Sequence, residues 1–225
     1  MIQIEYKKGF TMAEVLITVG ILGVVAAMTF PALIEGYKKK ETVAKLQKAY
    51  TILNQAFYRS QADNGDYRDW LRGVDIGLEK FYDIYWYPYF QITIVCDTYK
   101  KCGYKEQRPW KRPDSAKVQP VFTDANFRVP FITSDNILYS ISIAYGSADN
   151  ASNLIFVDIN ASRLPNLLGN DVFVFVTTEN NVIMPLGYDK TQTEVLNDCK
   201  TTGEFCAAKI MQNGWQIKQD YPWHR

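Results

Sequence analysis

The Gly9–Phe10 peptide bond is the place in this chain where residue types and spacing set up a definite reaction. Lys7 and Lys8 precede it, an apolar run begins immediately after it, and Glu14 lies four residues beyond Phe10. Hydrolysis there would make Phe10 a free ammonium close in sequence to a carboxylate. Between Thr11 and Ile34 the chain is nearly all apolar apart from Glu14, Thr18 and Thr29. A carboxylate at a bilayer centre costs about 2.5–3.5 kcal/mol, and less near an interface. An acid in this run therefore calls for a partner, and the new ammonium at Phe10 is a specific one.

Gly9-Phe10-Thr11-Met12-Ala13-Glu14-Val15-Leu16-Ile17, continuing through Gly23 to Pro31, resembles the N-terminal signature of type IV pilins and of the pseudopilins of type II secretion systems. The resemblance covers roughly the first thirty residues. The family more often has Leu-Ile where this chain has Met12-Ala13. It implies that a prepilin peptidase cuts between Gly9 and Phe10 and N-methylates the new terminus. It further implies that Phe10 and Glu14 are the assembly residues and that Pro31 kinks the helix. The implied protein is a structural subunit of a type IV pilus or a type II secretion filament. It would sit in the inner membrane as a single-pass protein, with its head in the periplasm or in an extracellular filament. Its implied partners are other pilin or pseudopilin subunits, the prepilin peptidase and an inner-membrane assembly platform. The alternative is a minor pilin-like binding module, serving adhesion or DNA uptake, although nucleic acid is not the expected partner.

The physical reading agrees. A secretory signal peptide runs from charge through an apolar core to a small-residue cleavage site. Here the nine-residue leader has no apolar core, and its glycine precedes the apolar run, which would be retained. Two competing readings are an uncleaved signal anchor, in which Glu14 is incidental, and ordinary signal peptidase acting near Val25-Ala26-Ala27-Met28.

The expected organisation is a leader over 1–9, a membrane and assembly half of a stem helix over 10–36, an amphipathic half over 37–65, and an α+β head over 66–225. About 20 apolar residues span a bilayer, and Gly20 and Gly23 have the spacing that lets helices approach closely. Pro31 removes a backbone donor, so a bend or local melting is expected there. Lys38-Lys39-Lys40 suits the headgroup boundary, although it opposes the positive-inside rule if the head lies outside. Val43, Leu46, Tyr50, Leu53 and Phe57 then recur at helical steps, opposite Lys45, Gln47, Lys48, Thr51 and Asn54. The turn signal Asp63-Asn64-Gly65-Asp66 ends the helix. A continuous helix to that point would be roughly 80 Å long.

The 225 residues carry a net charge of +1, so nothing global points to nucleic acid or acidic substrates. The 15 Tyr and 12 Phe suit a β-rich domain outside the cytoplasm. No enzyme motif is present: the lone His224 has no Ser/His/Asp set around it, and there is no Gly-rich phosphate loop or metal cluster. The four cysteines fall as Cys96 with Cys102 and Cys199 with Cys206, without zinc spacing. They allow three connectivities, of which the two local ones are favoured, with free thiols as the other possibility.

Within the head, Asp66 to Gln91 reads as a second helical region ending in the aromatic run Tyr85-Trp86-Tyr87-Pro88-Tyr89-Phe90. That run packs on the stem or, alternatively, forms a stacking platform. Lys100 to Lys117 is basic, with Tyr104 and Trp110 interleaved, and reads as a solvated, disulfide-tethered loop or as a polyanion patch. Residues 137–145 alternate at period two, Leu154–Val157 reads as a buried strand, and Val172–Thr178 with Val182–Met184 as a hairpin, giving about three or four antiparallel strands. The stem helix is the expected cover for one sheet face. Asp158, Asn160 and Ser162 have the alternate spacing of a calcium loop's first ligands. Major pseudopilins bind calcium in a head loop. Here, however, Arg163 replaces the glycine and no glutamate closes the loop, which favours a turn held by Asx hydrogen bonds and Pro165. A short helical turn over 207–211 and an apolar-rich end complete the chain.

Overall fold

A computed structural model describes residues 9–71, 73–114, 116, 128–142 and 154–223. His224, most of the leader, the C-terminal end of the basic stretch, residues 143–145 of the expected strand and the expected turn over 146–153 lie outside the described residues. The chain divides into two units, Met1–Glu41 and Thr42–Arg225.

Helix α1 (Met12–Asn64) runs through both units and contains Pro31 without interruption, so the expected local melting does not occur. In the first unit its apolar side chains are exposed all round, Leu16, Leu22 and Leu33 among them. The hydroxyls of Thr18 and Thr29 donate back to the carbonyls of Val15 and Val25, so neither is left without a partner in apolar surroundings. It is the helix among the described residues that is long and apolar enough to cross a membrane.

In the second unit the same helix buries one stripe: Thr42, Val43, Leu46, Ala49, Leu53, Ala56, Phe57 and Ser60. Short helices follow: a 3-10 turn (Tyr67–Asp69), α2 (Gly73–Ile76), α3 (Leu78–Tyr85) and a second 3-10 turn (Tyr87–Tyr89). Among the described residues the sheet has six strands rather than three or four. In spatial order they are β1 (Ile92–Val95), β2 (Phe131–Thr133), β3 (Leu138–Ile141), β4 (Leu154–Asp158), β5 (Val172–Thr177) and β6 (Ile183–Pro185). Every neighbouring pair is antiparallel, so the sheet is a meander. Helices α4 (Gln192–Thr201) and α5 (Cys206–Gln212) close the chain. The unit is an α+β fold of pilin-like architecture.

Both sheet faces are buried, which explains why the strand pattern is apolar rather than alternating. One face (Phe131, Tyr139, Ile141, Ile155, Val157, Phe173, Phe175) shares a core with the α1 stripe, α3 and α5. Trp86 stacks on Phe57 at 5.7 Å, so the aromatic run packs against the stem helix. The opposite face (Ile132, Leu138, Phe156, Val172, Val174) is covered by Cys96, Cys102, Tyr104 and Trp110. The basic stretch is therefore a loop layered on this face: Lys105, Arg108 and Lys111 stay exposed while Tyr104 and Trp110 pack inward. Its aromatic side chains turn inward because an uncovered apolar face would cost about 25 cal/mol per Å².

Candidate assembly site at the N-terminus

Gly9 and Phe10 precede α1 in irregular, exposed chain. Thr11 is the residue before the helix and Glu14 lies on its first turn. The Thr11 backbone N–H donates to Glu14 Oε2 at 2.8 Å and its hydroxyl donates to the same oxygen at 2.9 Å. In return the Glu14 N–H donates to Thr11 Oγ1 at 3.2 Å. This is a reciprocal capping box. Glu14 thus has a local partner besides any ammonium, and Thr-x-x-Glu before an apolar run is its sequence signature. The box satisfies donors at the helix start and holds the carboxylate on the first turn, where the helix dipole also favours negative charge. It does not neutralise the charge.

Farther along, Glu35 and Lys39 pair at 2.7 Å, one turn apart, where the apolar run gives way to charged residues.

The cysteines form the two local bridges. Cys96–Cys102 has a Cα separation of 5.6 Å and Cys199–Cys206 one of 4.7 Å. The first staples the basic layer to the end of β1. The second joins α4 to α5. Gly169 packs on it so closely that a Cβ there would lie 2.7 Å from Cys206 Sγ, and its φ of +85° is strained for any other residue. The Tyr221 hydroxyl donates to the Gly169 carbonyl at 2.5 Å, tying down the C-terminal tail.

In the β4–β5 loop, Asp158 is fully buried. Its Oδ2 accepts from the Tyr104 hydroxyl at 2.8 Å and from Trp110 Nε1 at 3.2 Å, while Oδ1 accepts from the Asn160 N–H at 3.2 Å, an Asx turn. Asp171 accepts from Asn160 Nδ2 at 3.2 Å, the Asn166 N–H at 2.9 Å and the Leu167 N–H at 2.6 Å. Ser162 lies beside Gly103, where a Cβ would come within 2.6 Å of its Oγ. The loop's carboxylates thus bind the protein's own donors. Among the described residues there is no group of three or more His, Cys, Asp or Glu able to hold a metal ion. Burial, reinforced by the charge of Asp171, holds the Asp158 carboxyl well above the usual range. Burial likewise pushes Asp171 up to about 6, against the opposing effect of its backbone donors.

The N-terminal signature, the long apolar helix and the helix-on-sheet head define a type IV pilin-like protein. Residues 6–30 match the prokaryotic N-terminal methylation motif. Residues 32–224 match a family described as a family of unknown function (DUF6613), and the chain belongs to that family. No curated protein and no solved structure matches it.

Proposed function

We propose that this chain is a filament subunit, cut between Gly9 and Phe10 by a prepilin peptidase, N-methylated at Phe10, and assembled through the first half of α1 as part of a type IV pilus or a type II secretion filament. The carrying observation is a membrane-length helix, exposed and apolar on all sides, that begins with one capped carboxylate inside a methylation motif. Residues 1–9 are the leader, 10–36 the membrane and assembly segment, 37–65 the amphipathic half, and 66–225 the head. Before assembly the bilayer covers the exposed apolar surface, and in the filament neighbouring copies do. Glu14 then faces the Phe10 ammonium of an adjacent subunit, which sets axial register and neutralises both charges; methylation preserves the positive charge. Two disulfides suit a head held outside the cytoplasm. The role is structural, and it needs a platform in the inner membrane but no catalytic group of the chain's own.

Co-expression with a prepilin peptidase, followed by intact mass, tests this reading. The expected product lacks Met1–Gly9 and carries one added methyl group. A mature chain beginning anywhere other than Phe10 would overturn it.

A further inference from the structure

We propose that the heads of successive copies associate front to back, the basic outer layer of one seating on the acidic helical layer of the next. This rests on the filament reading above and names the contact its heads would make.

Two segments of the head carry opposite net charge. Residues 97–114 hold Lys100, Lys101, Lys105, Arg108, Lys111 and Arg112 against Asp97, Glu106 and Asp114, so six minus three gives +3. Arg163 adds one more from the adjoining β4–β5 loop. That loop is locked to the layer by the Lys111 N–H donating to the Asn166 carbonyl and the Leu168 N–H donating to the Lys111 carbonyl, both at 2.9 Å. Residues 63–83 hold six acids, from Asp63 to Asp83, against Arg68, Arg72 and Lys80, so three minus six gives −3.

The two segments lie on opposite faces of one sheet. Tyr104 and Trp110 belong to the core on the Ile132, Leu138 and Phe156 face, whereas Trp70, Phe81 and Tyr82 belong to the core on the Phe131, Tyr139 and Ile141 face. In each layer the aromatics turn in and charged residues stay exposed: Lys105, Arg108 and Lys111 on one side, Asp69, Glu79 and Asp83 on the other. Each layer also leaves one leucine in solvent, Leu164 at 79% exposure beside Arg163 and Leu71 at 55% beside the acids. Opposite charge with an apolar anchor on each side fits a second copy of this chain, and complementary potentials set register and exclude wrong pairings. Patches on opposite faces make a heterologous contact, which repeats in one direction instead of closing on a two-fold axis. A nucleic-acid strand fits less well, because the aromatics that bases would stack on are buried.

The test uses the full chain in its native cells. Filaments are treated with a zero-length carbodiimide cross-linker after mixing isotopically distinct copies. Cross-links between copies are expected to join Lys105 or Lys111 to Asp69, Glu79 or Asp83. Lys105→Glu with Arg108→Glu should lower the sedimenting filament fraction by on the order of tenfold. Adding Asp69→Lys with Glu79→Lys should restore it to within about twofold. Filaments that form normally despite the first pair of reversals would overturn the contact, as would cross-links joining other surfaces. So would loss of duplex-DNA binding with assembly unchanged. A wild-type chain that forms no filament would instead defeat the underlying reading.

Discussion

The two parts of α1 are built from the same kinds of side chain and treat them oppositely. Leu46 and Leu53 are fully buried under the sheet, whereas Leu22 and Leu33 are 66% and 70% exposed. The acids differ in the same way. Glu14 has only its own helix cap, while Asp158 and Asp171 sit under donors from the basic layer and from their own loop. The contrast teaches that the head is complete within one chain and that the first part of α1 is not. Under the proposed filament role, lipid covers the first part before assembly and other copies cover it afterwards.

The largest expected effect sets Leu53→Ala against Leu22→Ala. Truncation at Leu53 should destabilise the head by about 2–5 kcal/mol, measured by denaturant unfolding of the full chain in detergent. The same change at Leu22 should leave the head transition in place. Equal losses would break the comparison.

Gly169→Ala comes next, because a left-handed backbone at a non-glycine residue costs about 1–3 kcal/mol and the new Cβ would press on the second disulfide. Thermal unfolding should shift down, while cleavage at Phe10 stays unchanged.

The buried acids give a smaller, pH-linked effect. An acid with a folded pKa above its unfolded value binds more protons when folded, so its burial cost is fully present above the folded pKa and relieved as pH falls. Asp171, at about 6 against an ordinary 3.8, sets the window from about pH 7 down to 4. Asp158 acts in the same direction, because burial and then the charge of Asp171 raise it. The head should therefore gain about 1 kcal/mol between pH 7 and pH 5, and Asp171→Asn should flatten the slope. Hydrogen bonds lower the carboxyl pKa values of Asp66, Glu194 and Asp220. Their contributions are present above the ordinary carboxylate range and are lost as pH falls through about 4.5 and below, so they oppose the gain at the acid end of that window.

The smallest effect compares two capping boxes of the same design, Thr11 with Glu14 and Thr191 with Glu194. Thr191→Ala should cost the head about 1 kcal/mol. Thr11→Ala should leave head unfolding unchanged, since its helix start belongs to the other unit. A shift of the head transition by Thr11→Ala would show that the two units are energetically coupled.

Much of this was legible in the sequence. The apolar run, the Val43–Phe57 stripe and the Asp63–Asp66 stop read directly into α1, and the strands over 154–158 and 172–177 read from their apolar runs. Strands β1 and β2 were not legible, because Ile92–Val95 and Phe131–Thr133 are too short to carry a period. The second sheet face was missed for a related reason. Its cover is a loop whose basic residues hide two inward-facing aromatics, Tyr104 and Trp110. The helical spacing places Asn54 on the side opposite the apolar stripe. Instead it donates to the Ile183 carbonyl and accepts from its N–H at 3.1 Å each, which caps the sheet edge against further strand addition. No local pattern announces a contact between residues 129 positions apart.

The most direct measurement is the filament fraction of Glu14→Gln beside wild type in the native cells. The substitution keeps the side chain's size and removes its charge. If the uncovered part of α1 assembles through Glu14 and a neighbouring Phe10 ammonium, the variant is cleaved at Phe10 and anchored normally but leaves almost no sedimenting filament. Wild-type filament yield from Glu14→Gln would contradict the account.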